Sequence, residues 1–202
     1  MKKIMTLSIC LLATITSIAS SFSSNLSFSF DEGKNKEITL TLNDVKEGQV
    51  LSVKDIDGFV LYKKAFEKTD NNASHKFDFT DLPNGTYYFE HEKAYQTKVI
   101  PFKVHFGDVT FDEANVKTIY KPVVRVKDNN IYFSKLELNK EDVEVRIYFE
   151  EDQGNHYKLV HTETISDALK AERVFSLSKK HTGNYKIVTV SNDKEYIEYI
   201  KI

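Results

Sequence analysis

One short phrase occurs in both halves of this chain. Phe77-Asp78-Phe79 leads to Leu82-Pro83-Asn84-Gly85-Thr86-Tyr87, and Phe175-Ser176-Leu177 leads to Thr182-Gly183-Asn184-Tyr185. The leading phenylalanines, the glycines and the tyrosines of the two copies each stand 98 residues apart. One offset shared by three landmarks points to a duplicated unit. The phrase is an apolar strand, a glycine turn and a tyrosine opening the next strand, which is architecture without a reactive group.

The rest of the pattern predicts β-structure. Apolar residues alternate with polar ones in short runs: Leu26, Phe28 and Phe30; Ile38, Leu40 and Leu42; Leu51 and Val53; Phe77 and Phe79; Tyr87 and Phe89. Residues 99–106 supply a further strand. A period of two places one face of a strand inside and the other in water, and the β-branched and aromatic residues that dominate here suit such a surface. Gly33, Gly48, Asp57-Gly58, Asp70-Asn71-Asn72 and Asn84-Gly85 punctuate these runs as turns. The second half repeats the plan. Val124 and Val126 precede an Asp128-Asn129-Asn130 turn; Ile131, Phe133, Leu136 and Leu138 follow. Val143, Val145 and Ile147 alternate with outward Glu144 and Arg146, and Gly154-Asn155 turns the chain into Tyr157, Leu159 and Val160. Phe175, Leu177 and the strand opened by Tyr185 come next, and residues 196–202 close the half. Residues 166–173 could form one or two helical turns, whereas their counterpart, 68–75, reads as a loop.

The N-terminus sets the compartment. Lys2 and Lys3 precede an apolar, hydroxyl-peppered run over 4–19, and Ser17-Ile18-Ala19 offers small residues for cleavage. We read residues 1–19 as a secretory signal peptide. Cys10, the single cysteine, lies inside it. The exported chain would then hold no disulfide and depend on apolar burial for stability. Without Lys2 and Lys3, 26 basic residues face 30 acidic ones, a net charge of −4. That balance, with no basic block, argues against nucleic acid or an anionic membrane surface as the main partner. No membrane span is expected after cleavage. Tryptophan is absent, which lowers the expectation of a glycan platform, although tyrosine can serve in its place.

The expected fold is all-β: two tandem Ig-like antiparallel β-sandwich domains after the signal peptide, at 24–112 and 120–202, each with its own core. The connecting stretch, 107–122, lacks the Gly, Ser or Pro richness of a tether, and Val109, Phe111, Val116 and Ile119 suggest a strand packed at the junction. Tyr87 and Tyr185 stand where a tyrosine corner would place a buried ring with its hydroxyl on upstream backbone; an ordinary core tyrosine is the other reading.

Residues 53–60 (Val-Lys-Asp-Ile-Asp-Gly-Phe-Val) followed by the stretch from Phe77 to Tyr87 resemble the C-terminal sorting domain of type IX secretion cargo. The chain is also similar to small secreted bacterial proteins built of two such Ig-like modules, with Tyr120-Lys121-Pro122-Val123-Val124 opening the second. Residues 194–202 loosely match the family's lysine-bearing last strand. The resemblance implies the fold and export, and as an alternative function a sorting or anchoring module. The family's Pro-Asn-Pro lead-in is missing, and Lys179-Lys180-His181 replaces the Leu-Pro-Asn turn in the second copy.

Residues able to do chemistry are few. Asp55-Ile56-Asp57-Gly58 has half the ligands of a calcium loop, but Val60, Tyr62 and Lys63 stand where acidic ligands would follow, and Asp-Gly between strands is a hairpin turn. Glu150-Glu151-Asp152 reads as a solvated hairpin tip. The histidines, His75, His91, His105, His156, His161 and His181, show no metal-ligand spacing. His91 alternates with Glu90 and Glu92 and so faces away from both. No Gly-x-Ser-x-Gly elbow and no phosphate-cradling glycine loop is present. We therefore expect no catalysis, no cofactor and no metal. The expected function is structural, adhesive or surface-interacting, with an unidentified cell-envelope protein or surface component as partner, in the periplasm, on the outer surface or outside the cell.

Overall fold

The computed structural model describes residues 28–32, 37–152, 154, 156–178 and 182–202. The segment expected to be a signal peptide (1–19), with Cys10, as well as Leu26, Gly33, Asn155 and Lys179-Lys180-His181, lies outside the described residues. The strands are β1 (Phe28–Glu32), β2 (Glu37–Val45), β3 (Val50–Asp55), β4 (Val60–Ala65), β5 (Asp70–Asp78), β6 (Gly85–Glu92), β7 (Gln96–His105), β8 (Asp108–Phe111), β9 (Lys117–Tyr120), β10 (Val123–Lys127), β11 (Asn130–Leu136), β12 (Val143–Asp152), β13 (His156–Ile165), β14 (Lys170–Ser176), β15 (Asn184–Ser191) and β16 (Lys194–Lys201). Among the described residues the only helical element is a 3₁₀ turn, Glu113–Asn115. The fold is all-β, and every strand pair is antiparallel.

The strand orders carry the repeat. In the first half β1-β2-β5 faces β4-β3-β6-β7-β8; in the second β10-β11-β14 faces β13-β12-β15-β16. Adding nine to each strand number turns β1-β2-β5 into β10-β11-β14 and β4-β3-β6-β7 into β13-β12-β15-β16. The 98-residue offset holds only from β5 onward. β2 and β11 start at Glu37 and Asn130, and β3 and β12 at Val50 and Val143, an offset of 93. The β12–β13 hairpin more than absorbs the difference, with strands of 10 residues against 6 in β3 and β4, and β14, at 7 residues against 9 in β5, returns two.

Alternation decides what goes inside. Ile38, Leu40 and Leu42 from β2 meet Leu51 and Val53 from β3, Tyr87 and Phe89 from β6, and Ile100, Phe102 and Val104 from β7 in one buried cluster. Phe77, Phe79, Phe89 and Phe102 fill its centre, with ring centroids 5.1 Å apart for Phe77–Phe89 and 4.9 Å for Phe89–Phe102. The second cluster is smaller: Ile131 and Phe133 against Val143, Val145, Ile147, Ile165, Ala171, Tyr185 and Ile187. The two clusters share no residue. Each large side chain so buried contributes about 1.5–3 kcal/mol.

The connecting stretch is built into the first half. β8 pairs with residues 102–105 of β7, and β9 pairs with residues 96–99 of the same strand. Pro101 falls in the gap between them. It has no N–H for a ladder, and its carbonyl accepts the N–H of Asp112 at 3.0 Å.

Two sequence expectations need correction, and two apolar pairs face solvent. Residues 68–75 are no loop: β5 begins at Asp70 and pairs with β2, Asn43 opposite Asn72 and Val45 opposite Asp70. β5 is an edge strand whose first residues are exposed, so its polar composition mimics a turn. Residues 166–173 form no helical turn; β14 starts at Lys170. Leu136 and Leu138 point outward, because Ile131 and Phe133 fix the inward phase, which then falls on Lys135 and Glu137. Leu159 and Val160 are exposed as well.

Candidate interaction surface

β13 and β14 are the neighbouring edges of the two facing sheets in the second half, and they do not pair with each other. Between them opens a cleft of about 570 Å³, floored by Ile147, Phe149, Phe175 and Tyr185. His161 and Glu163 line it from β13 and Arg173 from β14. Register explains this. His161 sits opposite Ile147 and Glu163 opposite Val145, so both point toward the inner layer, while a bulge at Val160 bends the edge. The Arg173 guanidinium donates to Glu163 and ties one edge to the other, and the His161 ring lies 5.1 Å from that of Phe175. An edge strand presents unpaired backbone donors and acceptors, and here two edges flank an apolar floor. That arrangement can accept an extended segment.

The first half has an exposed edge too. β4 leaves Val60 and Leu61 in solvent beside Ile56 and Phe59 of the preceding turn. That turn uses its own acid: Asp55 Oδ1 accepts the N–H of Asp57 at 3.0 Å and of Phe59 at 2.9 Å, with Gly58 at φ +86°. The oxygen that a calcium loop would spend on the ion holds the hairpin instead. At the β12 end, Glu150 accepts from Asn184 at 2.6 Å and Glu151 from Lys158 at 2.8 Å. Among the described residues no three His, Cys, Asp or Glu side chains group as metal ligands.

Two polar clusters escaped the sequence reading. Lys135 and Glu137 are both buried, with Nζ 2.6 Å from Glu137 Oε2. The same oxygen accepts from Ser191 Oγ at 2.9 Å and from Asn192 Nδ2 at 2.5 Å. Burial alone would push the Glu137 carboxyl up, but the hydrogen bonds from Lys135 and Ser191 hold it below its ordinary value. The signal was available: Lys135 and Glu137 continue the phase of Ile131 and Phe133. At the 93-residue offset Lys135 stands where the first half has buried Leu42.

The second cluster joins the halves. Glu90 on β6 accepts from Lys54 on β3 at 2.7 Å and from Lys194 on β16 at 2.9 Å. Burial opposes its charge, yet the two ammonium groups leave its carboxyl below the ordinary range. His91 faces the other way, as alternation requires. It is 1% exposed, and its Nε2 lies 2.8 Å from Gln49 Oε1.

Tyr87 and Tyr185 take equivalent places on β6 and β15, and each belongs to its own core cluster. The Tyr87 hydroxyl donates to the Pro83 carbonyl at 2.8 Å, and its ring covers Gly85, where a Cβ would come within 3.4 Å of it. The Tyr185 ring lies 4.9 Å from Phe149, and burial pushes its phenol up. Removing the Tyr87 hydroxyl leaves the Pro83 carbonyl without that donor. Tyr87→Phe is expected to lose about 1 kcal/mol, read as a lowered urea midpoint at unchanged slope. An unaltered midpoint would count against a structural role for the hydroxyl.

No family model matches the chain, and no curated protein matches it. Among solved structures, a "Biofilm associated protein - BSP domain" superposes with a TM-score of 0.27 at 15% identity, over 87% of this chain. The chain spans 29% of that protein's length. The human OSCAR ligand-binding domain superposes with a TM-score of 0.25 at 11% identity, over 82% of this chain and 89% of its own. Superpositions this loose fix neither topology nor function; the all-β class rests on the strand pairing itself. Among the described residues no helix is long and apolar enough to cross a membrane.

Proposed function

We propose that this chain is an exported, non-catalytic β-sandwich protein with an adhesive or surface-interaction role. In this reading it engages another cell-envelope protein by accepting an extended segment at the open side of its second half. The observation that supports it is the pair of unpaired edges, β13 and β14, around an apolar cleft. Main-chain hydrogen bonds would supply affinity, and pockets for alternate side chains would supply selectivity. The same reading divides the chain into a signal peptide and modules at 24–112 and 120–202, with Tyr87 and Tyr185 as paired tyrosine corners.

A photo-crosslinking side chain at Val160, on the rim of the cleft, tests it. The expected product is one discrete envelope-protein adduct whose labelled peptide is extended in sequence pattern, alternating apolar and polar. Val160→Pro, which obstructs edge pairing, should abolish capture of that partner at unchanged melting temperature. Capture that survives the proline defeats the reading. The sorting alternative makes a separate prediction: truncation after Lys121 stops export past the outer membrane. Under the interaction reading export continues and only partner capture is lost.

A further inference from the structure

The outer face of the four-stranded sheet carries a second surface, unconnected with the cleft. Register places Leu159 opposite Tyr148, Tyr148 opposite Lys186, and Lys186 opposite Tyr199, one row across β13, β12, β15 and β16. Tyr157, opposite Glu150, reaches into this row from the adjoining position. Its ring lies 5.9 Å from that of Tyr199. The Lys186 ammonium sits 4.6 Å from the Tyr148 ring centre and 5.1 Å from that of Tyr157. No carboxylate of the described residues lies within salt-bridge distance of it, whereas nearby Arg146 is paired with Glu144 and Lys158 with Glu151. Tyr199 is 64% exposed and Leu159 48%.

We propose that this tyrosine row is a binding platform for an acidic carbohydrate, a chain of uronate-type sugars. Three features select that chemistry. The aromatic faces offer apolar area of the kind the C–H faces of pyranose rings cover, and their hydroxyls offer hydrogen bonds at the rim. Lys186 is held between two tyrosine rings with no carboxylate of the described residues in salt-bridge distance, although Glu150 stands on the same face beside Tyr157, so a ligand carboxylate can pair with it directly. Tyr148 and Tyr199 are two strands apart, about 10 Å, which is the reach of two linked sugar rings. The strands fix the spacing, so little side-chain order is lost on binding. The row depends on the lengthened β12–β13 hairpin, since Tyr148, Tyr157 and Leu159 all lie on it.

Affinity electrophoresis of the exported chain in gels containing alginate, and in matched gels containing neutral dextran, tests the proposal. Alginate is expected to retard the wild type, and dextran to leave its mobility unchanged. Tyr199→Ala and Lys186→Gln should each weaken alginate binding about tenfold, the size of one lost charge-assisted or stacking contact. Lys158→Gln, which removes a carboxylate-paired charge of the same sign, should have little effect. Tyr199 is largely exposed, so its variant should fold; Lys186→Gln provides an independent arm. Absence of retardation overturns the proposal. So does equal weakening by Lys158→Gln and Lys186→Gln, which would show unspecific charge attraction. Equal retardation by dextran, or binding to anionic phosphatidylglycerol vesicles with none to alginate, overturns it as well.

Discussion

Acidification from pH 7 to pH 4 is expected to cost the first half about 3 kcal/mol of stability through His91 alone. The ring is buried, shares one hydrogen bond with Gln49, and its Nδ1 meets no polar partner among the described residues. Burial, with the neighbouring ammonium groups of Lys93 and Lys98, lowers its pKa from 6.5 to about 4. The unfolded chain takes up this proton near pH 6.5 and the folded one only near pH 4. Between those values the unfolded state binds more protons, so stability rises with pH. His91 contributes fully above pH 6.5, progressively less as the pH falls, and its loss levels off below about 4. His75, lowered by burial and Lys64, acts in the same direction. The carboxyls of Glu90 and Glu137 are held below their ordinary value of 4.5, so the stability they supply is lost at lower pH. Urea unfolding at half-unit steps from pH 7.5 to pH 4 measures the slope. His91→Gln should flatten it by most of this amount, and a variant as acid-sensitive as the wild type would exclude His91 as the source.

Glu137→Ala is expected to be the most damaging single substitution in the second half, about 3–5 kcal/mol. It strands the buried Lys135 ammonium and removes the acceptor shared by Ser191 and Asn192. Desolvation makes such a pair a weak source of net stability, so replacing both partners should cost far less than removing one. Lys135→Leu combined with Glu137→Gln restores an apolar residue where the first half has Leu42 and keeps an acceptor for Ser191 and Asn192. We expect this double variant to lie within about 1 kcal/mol of the wild type. Denaturant midpoints of the single and double variants close the cycle. A double variant as unstable as Glu137→Ala would mean that the pair itself, and not the stranded charge, supports the fold.

What was legible in the sequence followed the period of two wherever one face is dry. β2, β6 and β12 alternate cleanly because each packs one side against a core, and the Asp128-Asn129 turn was visible because both residues adopt positive φ, which Asn and Asp tolerate. β5 was hidden because an edge strand has little to bury over its first residues, so its composition imitates a loop. β14 was hidden similarly: its exposed Lys170, Glu172 and Arg173 leave little apolar rhythm. Lys135 and Glu137 were hidden because their residue type points to solvent while their phase, set by Ile131 and Phe133, puts them inside. The cleft was not legible at all, since it depends on which two strands end up as neighbouring edges. The tyrosine row needed the cross-strand register, which places residues from four separate segments in one line.

The unequal offset between the halves has a practical consequence. From Val50 to Ala65 the first half uses 16 residues where the second uses 23 from Val143 to Ile165, and β14, two residues shorter than β5, returns two of the seven. Trimming the β12–β13 hairpin to the first half's length would remove Tyr157 and Leu159 and leave Tyr148, Lys186 and Tyr199 without that end of their row. Grafting it in the other direction, onto β3 and β4, would carry Tyr148, Tyr157 and Leu159 without Lys186 and Tyr199, and so would measure what the hairpin contributes by itself.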